Sequence, residues 1–146
     1  MEYSEQVKRV NETNKFMIHN GIHAMELTDT TAKVEAVITE DSENAMGGVH
    51  GGLMFVMAEV AAGLATRNDG RKYVTLDSSF RFLNGASGVE RVAAEATITK
   101  RGRTVSFVKS RVYLRLSLLR LKNRKAAALF RSFWDSYDIV IAPILT

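Results

Sequence analysis

Gly51-Gly52-Leu53-Met54-Phe55-Val56-Met57-Ala58-Glu59-Val60-Ala61-Ala62-Gly63-Leu64-Ala65-Thr66-Arg67 is the stretch whose reading decides the fold. Its helix formers run on to about Arg67, and Asn68-Asp69-Gly70 then supplies an Asn/Gly helix ending. Leu53, Met54, Phe55, Val56, Met57, Ala58, Val60, Ala61, Ala62, Leu64 and Ala65 leave the helix without a polar face. Such a helix is expected to be buried on every side. It is not a membrane span: Glu59 interrupts it, and Leu53–Ala65 falls short of the ~20 apolar residues that a bilayer requires.

Working outward, the flanks read as β. Ile22–Leu27 and Ala32–Thr39, joined by Thr28-Asp29-Thr30, form a hairpin, and residues 4–15 before it allow a short surface helix. Residues 40–50 are polar and Gly-rich, hence a loop. After the helix come Tyr73–Leu83, Val89–Lys100, Thr104–Leu118 and Ala126–Trp134, with turns at Asn84-Gly85, Arg101-Gly102 and around Asn123. Short turns make the strands largely antiparallel, so one buried helix against about six strands is an α+β arrangement. Residues 114–124 are longer and more basic than a usual hairpin, and patterning assigns no element to residues 135–146. Residues 1–146 are expected to form a single domain, since no repeat or linker divides them.

Composition narrows the chemistry. The 146 residues are 46% hydrophobic and contain no Cys, which excludes disulfides, thiolate catalysis and Cys-ligated metals. Of the three His, His19 and His23 read as surface residues, lacking a carboxylate or third His at ligand spacing, and no metal site is expected. The formal charge of +4 is unevenly spread: residues 1–95 hold 9 Lys/Arg against 14 Asp/Glu, residues 96–146 hold 11 against 2. That imbalance suits a multiply anionic partner, whether nucleic acid, lipid head groups or the phosphates of a nucleotide-like molecule, or else a solvated basic strand face. The start Met1-Glu2-Tyr3-Ser4-Glu5 is acidic and lacks a signal-peptide core, so a soluble cytoplasmic protein is expected.

Two features carry candidate chemistry. Glu59 is the one charged residue between Gly51 and Thr66, and a carboxylate on a buried helix is costly unless it is paired or used. At the helix entrance stand Asn44, His50, Gly51 and Gly52. The first N–H groups of a helix lack intrahelical acceptors and can polarise a carbonyl, while paired glycines allow close approach to the backbone. A Gly-rich turn capped by His50 would look the same in sequence. Gly51 and Glu59 are eight positions apart, about 12 Å along an α-helix, so one chain cannot bring both to one reacting atom. If both act on the same carbonyl, the carboxylate comes from a second, antiparallel copy, as in a two-fold dimer.

Asn44-Ala-Met-Gly-Gly-Val-His50-Gly51-Gly52, Glu59, Val74-Thr75-Leu76-Asp77 and Lys100-Arg101-Gly102-Arg103-Thr104 together resemble the hotdog-fold acyl-CoA thioesterases of the phenylacetate-degradation and 4-hydroxybenzoyl-CoA type. The resemblance covers roughly residues 15–113, and Ala127–Arg131 looks like the family's last strand. It implies a curved antiparallel sheet wrapped around a central helix, in homodimers that pair into tetramers. Residue by residue, it implies that the Gly51 N–H polarises the thioester carbonyl while His50 and Asn44 shape the loop. Glu59 of the facing subunit would be the general base or nucleophile, and Thr75 would position water or carboxylate. No metal or redox cofactor is implied, coenzyme A being part of the substrate. Its phosphates would meet Lys100, Arg101 and Arg103, with Arg81 a further candidate, and Gly52 would let the substrate approach the backbone. Met54, Met57 and Phe82 are candidates for an apolar acyl pocket, or ordinary core.

Three other functions fit parts of this pattern: a hotdog domain that binds acyl-CoA without turnover, an acyl-thioester dehydratase, and a nucleic-acid surface built on the basic half. The last is disfavoured because few aromatics interleave with the basic residues. The expected partners are therefore an acyl-CoA and further copies of the chain, with neither nucleic acid nor membrane.

Overall fold

The computed structural model describes residues 2–115 and 137–143. In chain order these form α1 (Tyr3–Thr13), α2 (Lys15–His19), β1 (Ile22–Leu27), β2 (Thr31–Val37), a short 3-10 turn (Glu40–Ser42), α3 (Gly51–Arg67), β3 (Tyr73–Ser79), β4 (Arg91–Arg101), β5 (Ser106–Arg115) and β6 (Tyr137–Pro143). Every strand pairing is antiparallel, and the six strands lie in the order β1-β2-β4-β5-β6-β3. The sheet packs on α3, which is the α+β arrangement read from the pattern of elements and the hotdog layout that the resemblance implies.

Small residues let the sheet close on the helix. Ala32, Val34 and Ala36 of β2 and Val92, Ala94 and Ala96 of β4 are buried at alternate positions, matching the period-2 pleat. Against them lie Met57, Ala58, Ala61, Ala62 and Ala65 of α3, all fully buried. A Ser on β5 finishes the contact: Ser110 Oγ donates to the Ala58 carbonyl at 3.0 Å inside the core.

Four expectations need correction or relocation. Met57 is 0% exposed and belongs to this core, not to a pocket wall. Only the second half of α3 is largely enclosed; Leu53 to Val56, Glu59 and Gly63 remain partly exposed, because the sheet wraps one side of the helix and no described residue covers the other. The third predicted strand ends at Ser79 instead of Leu83, since Phe80 turns its ring onto Phe55 and Phe82 onto Phe80. The strand between β5 and β3 is Tyr137–Pro143, within the stretch to which patterning assigns no element. The expected strand Ala126–Trp134, the turn around Asn123 and most of the basic 114–124 segment lie outside the described residues.

Both sheet edges are distinctive. At β1, Asn11 of α1 donates to the Ala24 carbonyl (2.9 Å) and accepts from the Ala24 N–H (2.8 Å), so one side chain satisfies an edge residue as a neighbouring strand would. At the other edge β3 has no such cover among the described residues, and Val74 (46%) and Leu76 (58%) stand exposed.

Candidate active site

The loop before α3 is held by its own polar groups. Asn44 Oδ1 accepts from the N–H of Met46 (2.9 Å) and of Gly48 (3.2 Å), and the Asn44 N–H donates to the Gly48 carbonyl (2.7 Å). The loop is then fastened to the 86–87 segment, where the Val49 N–H donates to the Ala86 carbonyl at 2.7 Å. A side chain at Gly48 would come within 3.0 Å of that same carbonyl oxygen. Asn44 thus holds the loop together through its side chain and its backbone.

His50 is the N-cap of α3, its Nδ1 accepting from the Gly52 N–H at 2.9 Å. An accepting Nδ1 places the proton of the neutral ring on Nε2, which can donate to a substrate. The Gly51 N–H has no acceptor among the described residues, and the helix dipole reinforces its partial positive charge. Each glycine of the pair has a steric reason of its own. A Cβ at Gly52 would lie 2.9 Å from His50 Nδ1, and one at Gly51 would lie 2.9 Å from Cε1 of Phe82. Phe82 is 59% exposed, and its ring lies over Gly51 while packing edge-on against Phe80.

Glu59 sits two turns further along the uncovered side of α3. Its Oε1 accepts from Thr75 Oγ1 at 2.8 Å. Thr75 reaches it from β3 next to a bulge, where the register with β6 slips between Thr75 and Asp77, and bulges re-aim side chains in this way. Among the described residues the buried carboxylate is a different one: Glu35 on β2 is 3% exposed, with Arg91 Nη1 3.9 Å away. Among the described residues Glu59 is therefore half-exposed, contrary to the burial expected from its apolar neighbours, and is held by a hydroxyl.

The remaining candidates divide. Lys100, Arg103 and Arg81 are exposed, as phosphate-binding groups need to be. Arg101 instead closes the C-terminal end of α3: Nη1 donates to the Thr66 carbonyl (2.9 Å) and Asp69 Oδ2 (3.0 Å), Nη2 to the Ala65 carbonyl (3.3 Å) and Asn68 Oδ1 (2.9 Å). Asp69 also receives Arg71 Nε (2.9 Å) and the Tyr73 hydroxyl (2.6 Å). Partial burial alone would raise the Asp69 carboxyl, but the Arg71 and Tyr73 hydrogen bonds outweigh it and hold it at about 2. His19 and His23 are exposed as expected, and no cluster of three potential metal ligands occurs among the described residues.

The chain places two half-sites on one helix. The first is a loop with a polarised N–H and a histidine donor at the start of α3; the second is a carboxylate held by a hydroxyl at its middle. One could polarise a carbonyl and the other accept a proton from water or attack directly. Both stand on the same unbroken helix eight positions apart, so about 12 Å separates them along its axis.

Comparison with known proteins gives a family match over part of the chain and likenesses of fold. Residues 46–115, which include His50, Gly51 and Glu59 but not Asn44, match the thioesterase superfamily. A protein of Archaeoglobus fulgidus named as a candidate esterase is 32% identical over 72 residues, covering 49% of this chain and 47% of its own length. The chain thus aligns with about half of that relative. Among solved structures, the PaaI protein from the phenylacetic acid degradation operon of E. coli superposes with a TM-score of 0.78 at 16% identity, over 97% of this chain and 94% of that one. A thioesterase family protein from Silicibacter pomeroyi gives 0.77 at 18% identity over 99% and 100%. At such identities the likeness is one of fold. The match to the thioesterase superfamily thus covers residues 46–115, and the likeness to these solved structures extends over nearly the whole chain as one of fold.

Proposed function

We propose that the protein hydrolyses acyl-CoA thioesters to the free acid and coenzyme A. The observation that carries this reading is the division of one helix into a polarising start, with the Gly51 N–H open and His50 fixed in a donor tautomer, and a carboxylate, Glu59, anchored by Thr75 on the uncovered side. Because the two halves lie too far apart in one chain, each site combines the helix start of one subunit with Glu59 of another. Two antiparallel copies of α3 meet this requirement, and the open face of α3 with the exposed edge of β3 is the surface on which they would join.

In that arrangement the thioester carbonyl accepts from the Gly51 N–H and the Glu59 carboxylate serves as general base towards water or as nucleophile. α3 is about 24 Å long at 1.5 Å per residue. The turn carrying Lys100 and Arg103 lies near its C-terminal end, and antiparallel pairing carries that turn towards the partner's helix start, where the phosphates of coenzyme A would need cations. Arg81 is a further candidate, whereas Arg101 serves the helix end. The active assembly is a dimer, paired into a tetramer, working in the cytoplasm with neither metal nor redox cofactor.

The experiment is incubation with a panel of alkyl- and aryl-CoAs in the presence of a thiol reagent. Free coenzyme A is expected. Binding without thiol release would indicate a non-catalytic acyl-CoA protein, and loss of water from a hydroxyacyl-CoA without thiol release a dehydratase.

A further inference from the structure

Two sets of charges at the ends of α3 have no ion-pair partner among the described residues. Arg67, the last residue of α3, bends back along the helix: its Nε donates to the Gly63 carbonyl at 3.0 Å, and a Cβ on Gly63 would lie 3.5 Å from its Nη2. The guanidinium therefore rests over Gly63, one helical turn beyond Glu59 on the partly exposed side of α3. Among the described residues no carboxylate lies within ion-pair distance of it. Beside the other end of the helix stand Glu40, Asp41 and Glu43, all exposed and likewise without a cation among the described residues. They are tied to the helix start: the His50 N–H donates to the Ser42 carbonyl at 2.8 Å, and Glu43 bridges to Val49. The helix dipole favours each sign where it stands, and it leaves open what the exposed guanidinium and the three carboxylates meet.

We propose that Arg67 clasps the acidic group Glu40, Asp41 and Glu43 of a second copy of the chain, and so sets the register in which Gly51 of one subunit meets Glu59 of the other. The inference rests on the shared-site reading above and adds to it the contact that aligns the two helices. Helix geometry places the groups together. When Glu59 faces the partner's Gly51 in an antiparallel pair, each further residue of α3 advances about 1.5 Å past the partner's helix start. Gly63, under the guanidinium, then lies about 6 Å beyond that start, where the acidic turn bonded to the partner's His50 stands. A two-fold axis makes the contact twice. Sliding one helix along the other by a turn, about 5.4 Å, would part the guanidinium from the carboxylates and Gly51 from Glu59 at once. The planar fork of an arginine suits carboxylates in particular. Arg67 touches no reacting atom in this arrangement; it is a positioning residue that acts through the partner's loop.

The test reverses the charges. Arg67→Glu sets like charges against the acidic group, and a second variant carrying Glu40→Lys, Asp41→Lys and Glu43→Lys sets like charges against Arg67. Each alone is expected to raise the dimer dissociation constant about tenfold or more in sedimentation equilibrium, with the circular dichroism of the fold unchanged. Mixing the two variants restores opposite charges at both contacts of a heterodimer. Native mass spectrometry with one variant isotopically labelled should then show well over the half that random pairing gives. Dimerisation of Arg67→Glu as tight as wild type, or random pairing in the mixture, overturns the proposal. So does a rise in KM for CoA esters with dimerisation unchanged, which would give the guanidinium to the substrate's phosphates. Should a charge-reversed variant fail to fold, Arg67→Gln supplies a second measurement. Its dimer dissociation constant should respond less to salt between about 0.05 and 0.5 M than that of wild type, and equal salt dependence overturns the clasp. None of these readouts needs turnover. Preferred heterodimers from a protein that releases no coenzyme A would keep the clasp and remove the thioesterase reading, whereas thioester hydrolysis regained in the mixture ties the clasp to the shared site.

Discussion

Glu59 is judged by what holds it. Its oxygen has a hydroxyl partner in Thr75 at 2.8 Å, which orients the carboxylate without neutralising it. Glu59→Ala should lower kcat at least about 10²-fold with KM nearly unchanged, because a base or nucleophile acts on the transition state. Glu59→Gln keeps an acceptor for Thr75 and should leave the melting temperature near that of wild type while activity is lost. Loss of stability in Glu59→Gln would make the residue a structural carboxylate. Thr75→Val should show a smaller fall in kcat, since it removes the orienting bond and leaves the charge.

At the scale of elements, the end of α3 depends on one guanidinium. Arg101 donates to two helix carbonyls and to two neighbouring side chains, so Arg101→Ala should destabilise the protein by about 2 kcal/mol in urea titration. Arg101→Lys should rescue little of this, because an ammonium lacks the planar fork. If the stability of Arg101→Ala matched wild type while its KM for CoA esters rose, the side chain would belong to the substrate. The same cluster makes a pH prediction. Asp69 lies at about 2 in the fold against 3.8 for a free carboxyl, so its contribution is fully present above about pH 4 and fades as pH falls towards 2. Asp69→Asn should flatten that part of the acid-stability profile, and an unchanged profile would refute the assignment.

On the scale of the whole molecule, the claim is a site shared between copies. Asn44→Ala and Glu59→Ala, each inactive alone, should recover about a quarter of wild-type activity when unfolded and refolded together, since half of randomly formed two-fold dimers are mixed and each of those has one intact site of two. Activity that stays at the level of the single variants, with subunit exchange verified by mass, would refute the shared site. The exposed edge of β3 offers a parallel check: Leu76→Lys should lower the sedimentation mass if that edge joins two copies.

The sequence by itself determined the central helix from Gly51 to Arg67, the first hairpin and the β4–β5 pair, because these follow from local signals: unbroken helix formers, Asn/Gly stops and strand runs punctuated by turns. It also assembled the helix-start motif and marked Glu59, since one acid among apolar residues stands out in a linear string. Only the tertiary structure decided which groups meet. Burial is a property of neighbours, so apolar context along the chain placed Glu59 in the core, whereas the sheet covers one side of α3 and buries Glu35 instead. Arg101 in sequence is one more basic turn residue; its acceptors, Ala65 and Thr66, lie 36 and 35 positions away and become visible only when β4 passes the end of the helix. The Phe82 ring over Gly51 likewise joins segments that no periodicity connects, since contacts between distant segments are set by the packing of the sheet on the helix.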